Sequence, residues 1–192
     1  TQVGSSAASD VYKRQQISFM RECQLKIKKI FAICWGLQVA VTVAGGQVKK
    51  SDKGAHRGIA HNIKVNNIGS NHKIYLNKKR QFNSPAFNFD EVVKIPEGAI
   101  LLSSNELNNV MGLNFKTNTS DIWGIQYHPE ITYEKMVSLI HFRKERLLNK
   151  GAFKDQDEIN NHILMIENEI KNTEKISRMK ELENWINYLY EN

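Results

Sequence analysis

Cysteine is scarce in this 192-residue chain: Cys23 and Cys34 are the only two. That count excludes a disulfide-stapled secreted scaffold and makes a reducing compartment the simpler reading. No stretch approaches the roughly 18 consecutive apolar residues that a membrane-spanning helix requires. The N-terminus also lacks the basic, apolar and small-residue layout of a signal peptide. Together these absences give the expectation of a soluble, cytoplasmic chain.

What is present is globular in character. Hydrophobic residues make up 41% and charged residues 24%, enough for one ordinary domain with an added helical tail. The net charge of +7 is unevenly spread: residues 151–192 carry −4 and residues 1–150 carry +11. A basic body invites a nucleic-acid partner. The basic residues, however, are scattered as Lys26, Lys28 and Lys29, then Lys49, Lys50 and Lys53, then Lys78, Lys79 and Arg80. No helix-turn-helix, zinc-finger spacing or basic-aromatic stripe organises them, so neither nucleic acid nor membrane is expected as a partner.

Along the chain, residues 1–15 offer no apolar periodicity and read as an unstructured or foreign leader. Foldable pattern begins near Ile17, with a short helix expected over Ile17–Leu25. The run Ile30-Phe31-Ala32-Ile33 is apolar throughout and predicts a strand buried on both faces, as in a parallel sheet covered by helices. Gly36 to Val41 reads as a buried helix closed by Gly45 and Gly46. Strands are expected at Ile59–Val65, Ile74–Leu76, Val92–Ile95, Ala99–Leu102, Val110–Phe115 and Ile122–Tyr127. Met136, Val137, Ile140 and Leu147 mark one face of a helix over Tyr133–Leu148. Two more helices are expected in the 151–192 tail, at Glu158–Ile170 and Ser177–Tyr190. In the second, Leu182, Trp185, Ile186 and Leu189 form a stripe that fits either the body or a partner.

Chemistry concentrates in two places. Cys34 lies between an apolar strand and a helix, with Ala32 and Gly36 two residues away on either side. A sharp strand-to-helix turn needs small neighbours and projects its central side chain from the sheet. Helix N-termini favour thiolates and offer free N–H groups to an oxyanion. Cysteine is equally at home as a small buried apolar residue, and this segment alone leaves both readings open. At the end of the last strand, His128-Pro129-Glu130 delivers an imidazole to take a thiol proton and a carboxylate to orient the ring. A surface histidine ahead of a helix, with Glu130 favourable in its first turn, fits the same three residues.

The two segments together settle more than either alone. Ala32-Ile33-Cys34-Trp35-Gly36-Leu37-Gln38, Gly45-Gly46, and Gly124-Ile125-Gln126-Tyr127-His128-Pro129-Glu130 strongly resemble the class I (triad) glutamine amidotransferases. The resemblance is greatest to stand-alone proteins similar to the amidotransferase domain of GMP synthase, and runs from about Ile17 to Leu148 and weakly into the tail at Glu181-Leu182-Glu183-Asn184-Trp185-Ile186. It implies a three-layer α/β/α, flavodoxin-like, open and mostly parallel sheet over residues 16–150, incomplete at its N-terminus. It also implies that Cys34 attacks the side-chain amide of glutamine, that His128 acts as base and then acid, and that Glu130 orients His128. Trp35, Gly36 and Gln38 then form the oxyanion and substrate-binding set, with the Trp35 N–H in the oxyanion hole and Gln38 lining the glutamine pocket. Ammonia would pass to an acceptor in a synthetase domain or partner subunit.

The chain departs from the family pattern at Ala32, where glycine is usual, and at Asn88 in Phe87-Asn88-Phe89-Asp90, where the pattern has histidine. Asp90, Glu91 and Val92 keep the rest of that segment. His56-Arg57-Gly58 lacks the acidic residue often found before the glycine. The family also carries several strands and helices ahead of the nucleophile strand. The segment is therefore expected to be an N-terminally truncated fragment, poorly folded and inactive alone. No cofactor or metal is expected: His56, His61, His72, His141 and His162 lack metal-ligand spacing, and there is no phosphate-gripping Gly-Lys-Ser/Thr loop. Two alternatives remain: a related Cys-His-Glu hydrolase of γ-glutamyl peptides or conjugates, and a non-catalytic protein on the same scaffold.

Overall fold

A computed structural model describes residues 7–173 and 175–191. Helix α1 runs from Ala7 to Lys26, starting well before the helix expected at Ile17; residues 1–6 of the expected leader lie outside the described residues. Strand β1 (Lys29–Ile33) leads through Cys34 into α2 (Trp35–Val43). Helix α2 stops where two glycines permit it. The Gly46 N–H bonds the Val41 carbonyl and the Gly45 N–H bonds the Thr42 carbonyl. Gly45 takes φ +86°, the left-handed conformation such a helix end demands.

The middle of the chain is a series of strands: β2 (Gln47–Lys50), β3 (His56–Arg57), β4 (Ala60–Val65), β5 (Gln81–Ser84), β6 (Phe87–Asn88), β7 (Asp90–Lys94), β8 (Ile100–Ser104), β9 (Gly112–Lys116) and β10 (Asp121–Ile125). A short helix, α3 (Asn67–Ser70), precedes a 3₁₀ turn at Lys73–Tyr75. That turn stands where a strand was expected at Ile74–Leu76. The His72 ring nitrogen accepts the Ile74 N–H at 3.2 Å, and Ile74 and Tyr75 turn inward into the core. A buried side chain on each of two successive residues defeats the alternation a strand would need.

Six strands form the main sheet in the order β1-β10-β9-β8-β4-β5. The expectation of a mostly parallel, flavodoxin-like sheet is overturned: β1 and β10 pair in parallel, and every other neighbouring pair is antiparallel. The physical reason lies in the connections. Residues 105–111 join β8 to β9, and residues 117–120 join β9 to β10 in a turn closed by the Thr117 N–H to Ser120 carbonyl bond. Links this short join only antiparallel strands, whereas parallel neighbours need a crossover of about a dozen residues or more. Among the described residues β1 is an edge strand, half-buried rather than enclosed.

The architecture is nevertheless α/β/α. On one face, Leu37, Ala40 and Val41 of α2 pack with Leu113, Phe115 and Ile122. On the other, Trp123, Ile125 and Tyr127 alternate inward against Leu102, Met111 and Trp185. Helices α4 (Tyr133–Asn149) and α5 (Gln156–Asn172) share a third cluster built on Ile140, Leu147, Ile159 and Ile163. The tail ends in α6 (Lys175–Arg178) and α7 (Lys180–Tyr190). Trp185 stacks on Phe31 with ring centroids 5.3 Å apart, and Tyr188 stacks on Trp123 at 4.4 Å. The side of α7 that docks therefore carries Glu181, Asn184, Trp185 and Tyr188, while Ile186 and Leu189 of the expected stripe are exposed. Among the described residues, no helix is long and apolar enough to cross a membrane.

Candidate functional site

The elbow at Cys34 is built by the chain on either side of it. Pairing of β1 with β10 carries through to the Cys34 N–H, which bonds the Ile125 carbonyl at 2.7 Å. The backbone then turns abruptly, with Cys34 at φ 51° and ψ −105°. A non-glycine residue held there stores on the order of 1–3 kcal/mol of strain, and such strain clusters at functional sites. Ala32 is buried, and a Cβ placed on Gly36 would stand 4.0 Å from its methyl. The strain is in the backbone of Cys34 itself.

Helix α2 begins immediately after, and no side chain caps it. The N–H groups of Trp35 and Gly36, in its first turn, have no intrahelical acceptors. They stand beside Cys34 with the positive end of the helix dipole behind them. The closeness of α2 to β10 depends on Gly124, where an added Cβ would come within 2.4 Å of Leu37 Cδ1.

His128 arrives from the end of β10, its N–H bonded to the Pro85 carbonyl at 2.7 Å. Its Nδ1 lies 2.6 Å from Glu130 Oε1. Burial opposes charge on this ring, but the Cys34 sulfur and the Glu130 carboxylate beside it outweigh that and lift the pKa to about 9. At neutral pH the ring is thus held as an imidazolium between a sulfur and a carboxylate. His128 and Glu130 are in direct contact, and the ring lies within reach of Cys34.

Gln38 and Gln126 complete the setting. The Gln126 amide donates to Cys34 Sγ at 3.4 Å, and its oxygen accepts from Gln38 Nε2 at 3.1 Å. Gln38 Nε2 also donates to the Asp90 carbonyl at 3.0 Å, tying α2 to β7. Sequence reasoning assigns Gln126 no role. A signal exists, because Gln126 lies one residue past the end of β10 and two before His128, inside the same motif segment.

A pocket of about 250 Å³ opens at Cys34, lined by Trp35, Gln38, Phe87, Asn88, Phe89 and Asp90 together with Arg143, Arg146, Leu147 and Lys150 of and after α4. His128 and Glu130 are not part of its wall. Among the described residues, Arg143, Arg146 and Lys150 have no carboxylate within salt-bridge distance. Asn88, at the position that departs from the family pattern, is buried and accepts from His56 at 2.9 Å while donating to the Asp90 carbonyl and to Asn108. His56 in turn lies 2.9 Å from the Asn105 amide nitrogen, which donates to its Nε2, and burial holds its pKa below the usual range. It is a neutral ring in a structural network. Among the described residues no group of three or more His, Cys, Asp or Glu side chains could hold a metal ion.

The chain is 29% identical over 153 residues to the γ-glutamyl-L-1-hydroxyisopropylamide hydrolase of a Pseudomonas species, a match spanning 76% of this chain and 52% of that protein. It is also 31% identical over 137 residues to the glutamine-hydrolyzing GMP synthase of Thermosipho melanesiensis, spanning 71% of this chain and 25% of that protein. The chain thus spans about half the length of the first relative and a quarter of the second. Its fold superposes on a glutamine amidotransferase from Thermotoga maritima with a TM-score of 0.71 at 16% identity, over 100% of this chain and 76% of that one. The class-I glutamine amidotransferase profile matches residues 5–145, a span that holds the elbow, the His128 loop and the pocket wall through Arg143, and the chain belongs to that family.

Proposed function

We propose that this chain hydrolyses the side-chain amide of glutamine through a thioester on Cys34 and passes the ammonia to an acceptor on a partner or synthetase domain. The observation that carries the reading is the meeting of a strained, uncapped strand-to-helix elbow with an imidazole already paired to a carboxylate. In this reading His128 already holds the Cys34 proton as an imidazolium, and the thiolate attacks the amide carbon. The N–H groups of Trp35 and Gly36 receive the oxyanion. His128 then returns its proton to the departing nitrogen, releasing ammonia and leaving the acyl group on sulfur. Water, deprotonated by His128, cleaves the thioester to glutamate and restores the thiol. Glu130 holds the ring in orientation throughout. Arg143, Arg146 and Lys150 at the pocket, which have no carboxylate partner among the described residues, suit the carboxylate at the far end of the substrate.

A second reading, hydrolysis of γ-glutamyl amides, follows the same steps with an amine in place of ammonia. The Pseudomonas relative favours it, and so does an apolar hollow of about 330 Å³ beside the elbow, lined by Phe19, Met20, Trp35 and Val39, which would accept an alkyl leaving group. The test is release of ammonia from glutamine against release of amine from a γ-glutamyl alkylamide, with Cys34→Ala as control. Loss on the order of 10⁴-fold or more in Cys34→Ala is expected. Faster turnover of the alkylamide than of glutamine would replace the first reading by the second. Turnover of both that survives Cys34→Ala would remove the two together.

A further inference from the structure

Two residues of the tail, outside the 5–145 span matched by the family, hold the backbone around His128. Arg178 is 7% exposed, and its Nη1 donates to the carbonyl of Pro129 and, at 2.9 Å, to that of Ile131. Those two carbonyls flank Glu130. Glu181 is fully buried. One of its oxygens accepts the Tyr127 hydroxyl at 2.6 Å, and the other accepts Lys78 Nζ at 2.8 Å. Lys78 also donates to the Ser177 carbonyl at 2.8 Å, so α6 and α7 are pinned at their junction. The tail thus grips residues 127, 129 and 131, and the Pro85 carbonyl holds residue 128.

Stability is a poor reason for this arrangement. A buried ion pair such as Lys78–Glu181 returns little net free energy once desolvation is counted, and a guanidinium is costly to bury unless its donors are satisfied. What the arrangement does supply is a fixed position for one loop. We propose that Arg178 and Glu181 are positioning residues for His128 and Glu130, so that the C-terminal helices set the geometry of the acid–base pair without touching substrate. The inference rests on the reading of His128 as the base. Displacing a reacting group by about 1 Å costs on the order of 10²-fold in rate, and that scale sets the expected effect.

The test uses the full chain and three variants: Arg178→Gln, Arg178→Lys and Tyr127→Phe. Each is compared with wild type in thermal melting, in glutamine turnover, and in an NMR titration of the His128 ring, its signal assigned by its loss in His128→Gln. Cys34, Tyr75, Lys78, Glu130, Tyr133, Glu134, Glu169 and Glu181, the other titratable groups around the loop, remain in place in every variant. Removing the Arg178 charge by electrostatics alone would raise the His128 midpoint. Loosening the loop lowers it, so the direction separates the two causes.

Arg178→Gln is expected to melt cooperatively, to lose about 10–10²-fold in kcat with KM within about twofold, and to titrate closer to an ordinary imidazole. Arg178→Lys should recover part of both losses, since an ammonium can donate to the same carbonyls. Tyr127→Phe, which removes a single hydroxyl, should shift His128 in the same direction by less, and it decides the matter if Arg178→Gln does not fold. A His128 midpoint and kcat unchanged in a folded variant would overturn the proposal. Should wild type release no ammonia from glutamine, the functional reading fails while the titration still decides the positioning role.

Discussion

The strained turn at Cys34 lies in the chain next to it and is supported by one distant segment, whereas His128 is held by several segments from across the molecule. The elbow needs β1 and the first turn of α2, with β10 contributing the Ile125 carbonyl and the close approach at Gly124. The His128 loop draws on Pro85, Lys78, Arg178 and Glu181, from a strand link, a turn and two tail helices. The difference teaches that a strained nucleophile can be specified locally, because strain is a property of one backbone. A base carried on a loop needs several independent anchors, because loop residues have no ladder of hydrogen bonds to fix them.

The comparison can be broken at its most sensitive point by Glu130→Gln. The variant keeps the shape but removes the charge that helps to hold His128 protonated, and turnover should fall by on the order of 10²-fold. Steady-state kinetics beside a His128 titration would check it; unchanged turnover would remove Glu130 from the unit.

Gly124→Val tests the other half. A side chain there meets Leu37 at the base of α2, and overpacking of this kind costs about 1–3 kcal/mol. Urea unfolding should show that loss, and the thiol reactivity of Cys34 should change with it as α2 is pushed away. Loss of stability with the elbow's reactivity intact would show that the close approach at Gly124 does not set the geometry of Cys34.

The smallest effect concerns pH. The His128 pKa is raised on folding to about 9, from the ordinary imidazole value near 6.5. Its contribution to stability is then complete below about pH 6.5 and is lost as pH rises through about 9. The stability difference between wild type and His128→Gln should therefore shrink between about pH 6.5 and 9.5. A difference that grows over that range would contradict the assigned environment of the ring.

The same contrast explains what could be read in the sequence. The elbow was legible because Ala32, Cys34, Gly36 and the closing glycines Gly45 and Gly46 each act through local backbone geometry. Helix α4 was legible because Met136, Ile140 and Leu147 repeat at helical spacing and are all buried on its inner side. Sheet direction was misread from the family resemblance and from β1, whose apolar run suggested burial on both faces; the short links after β8 and β9 carried the correct answer. Short strands such as β3 and β6 exist through pairing with each other, His56 to Asn88 and Arg57 to Phe87, and nothing within either segment announces it. On α7, the apolar stripe pointed to Ile186 and Leu189, but docking is decided by Glu181, Asn184 and Tyr188, whose polar partners lie far away in the chain at Tyr127, Ile74 and Asp121. Arg178 could not have been found by pattern, because its acceptors are backbone carbonyls.

The central claim is that Cys34 and His128 act as one chemical unit. It is tested most directly by the rate and site of labelling with a glutamine analogue that carries a chloromethyl ketone in place of the amide, mapped by mass spectrometry across about pH 6–9. The account predicts an adduct on Cys34, with Cys23 spared, glutamine protecting, and labelling near neutral pH slowed by on the order of 10²-fold in His128→Ala. An adduct mainly on Cys23, or labelling of Cys34 at the same rate with and without the His128 ring, would contradict it.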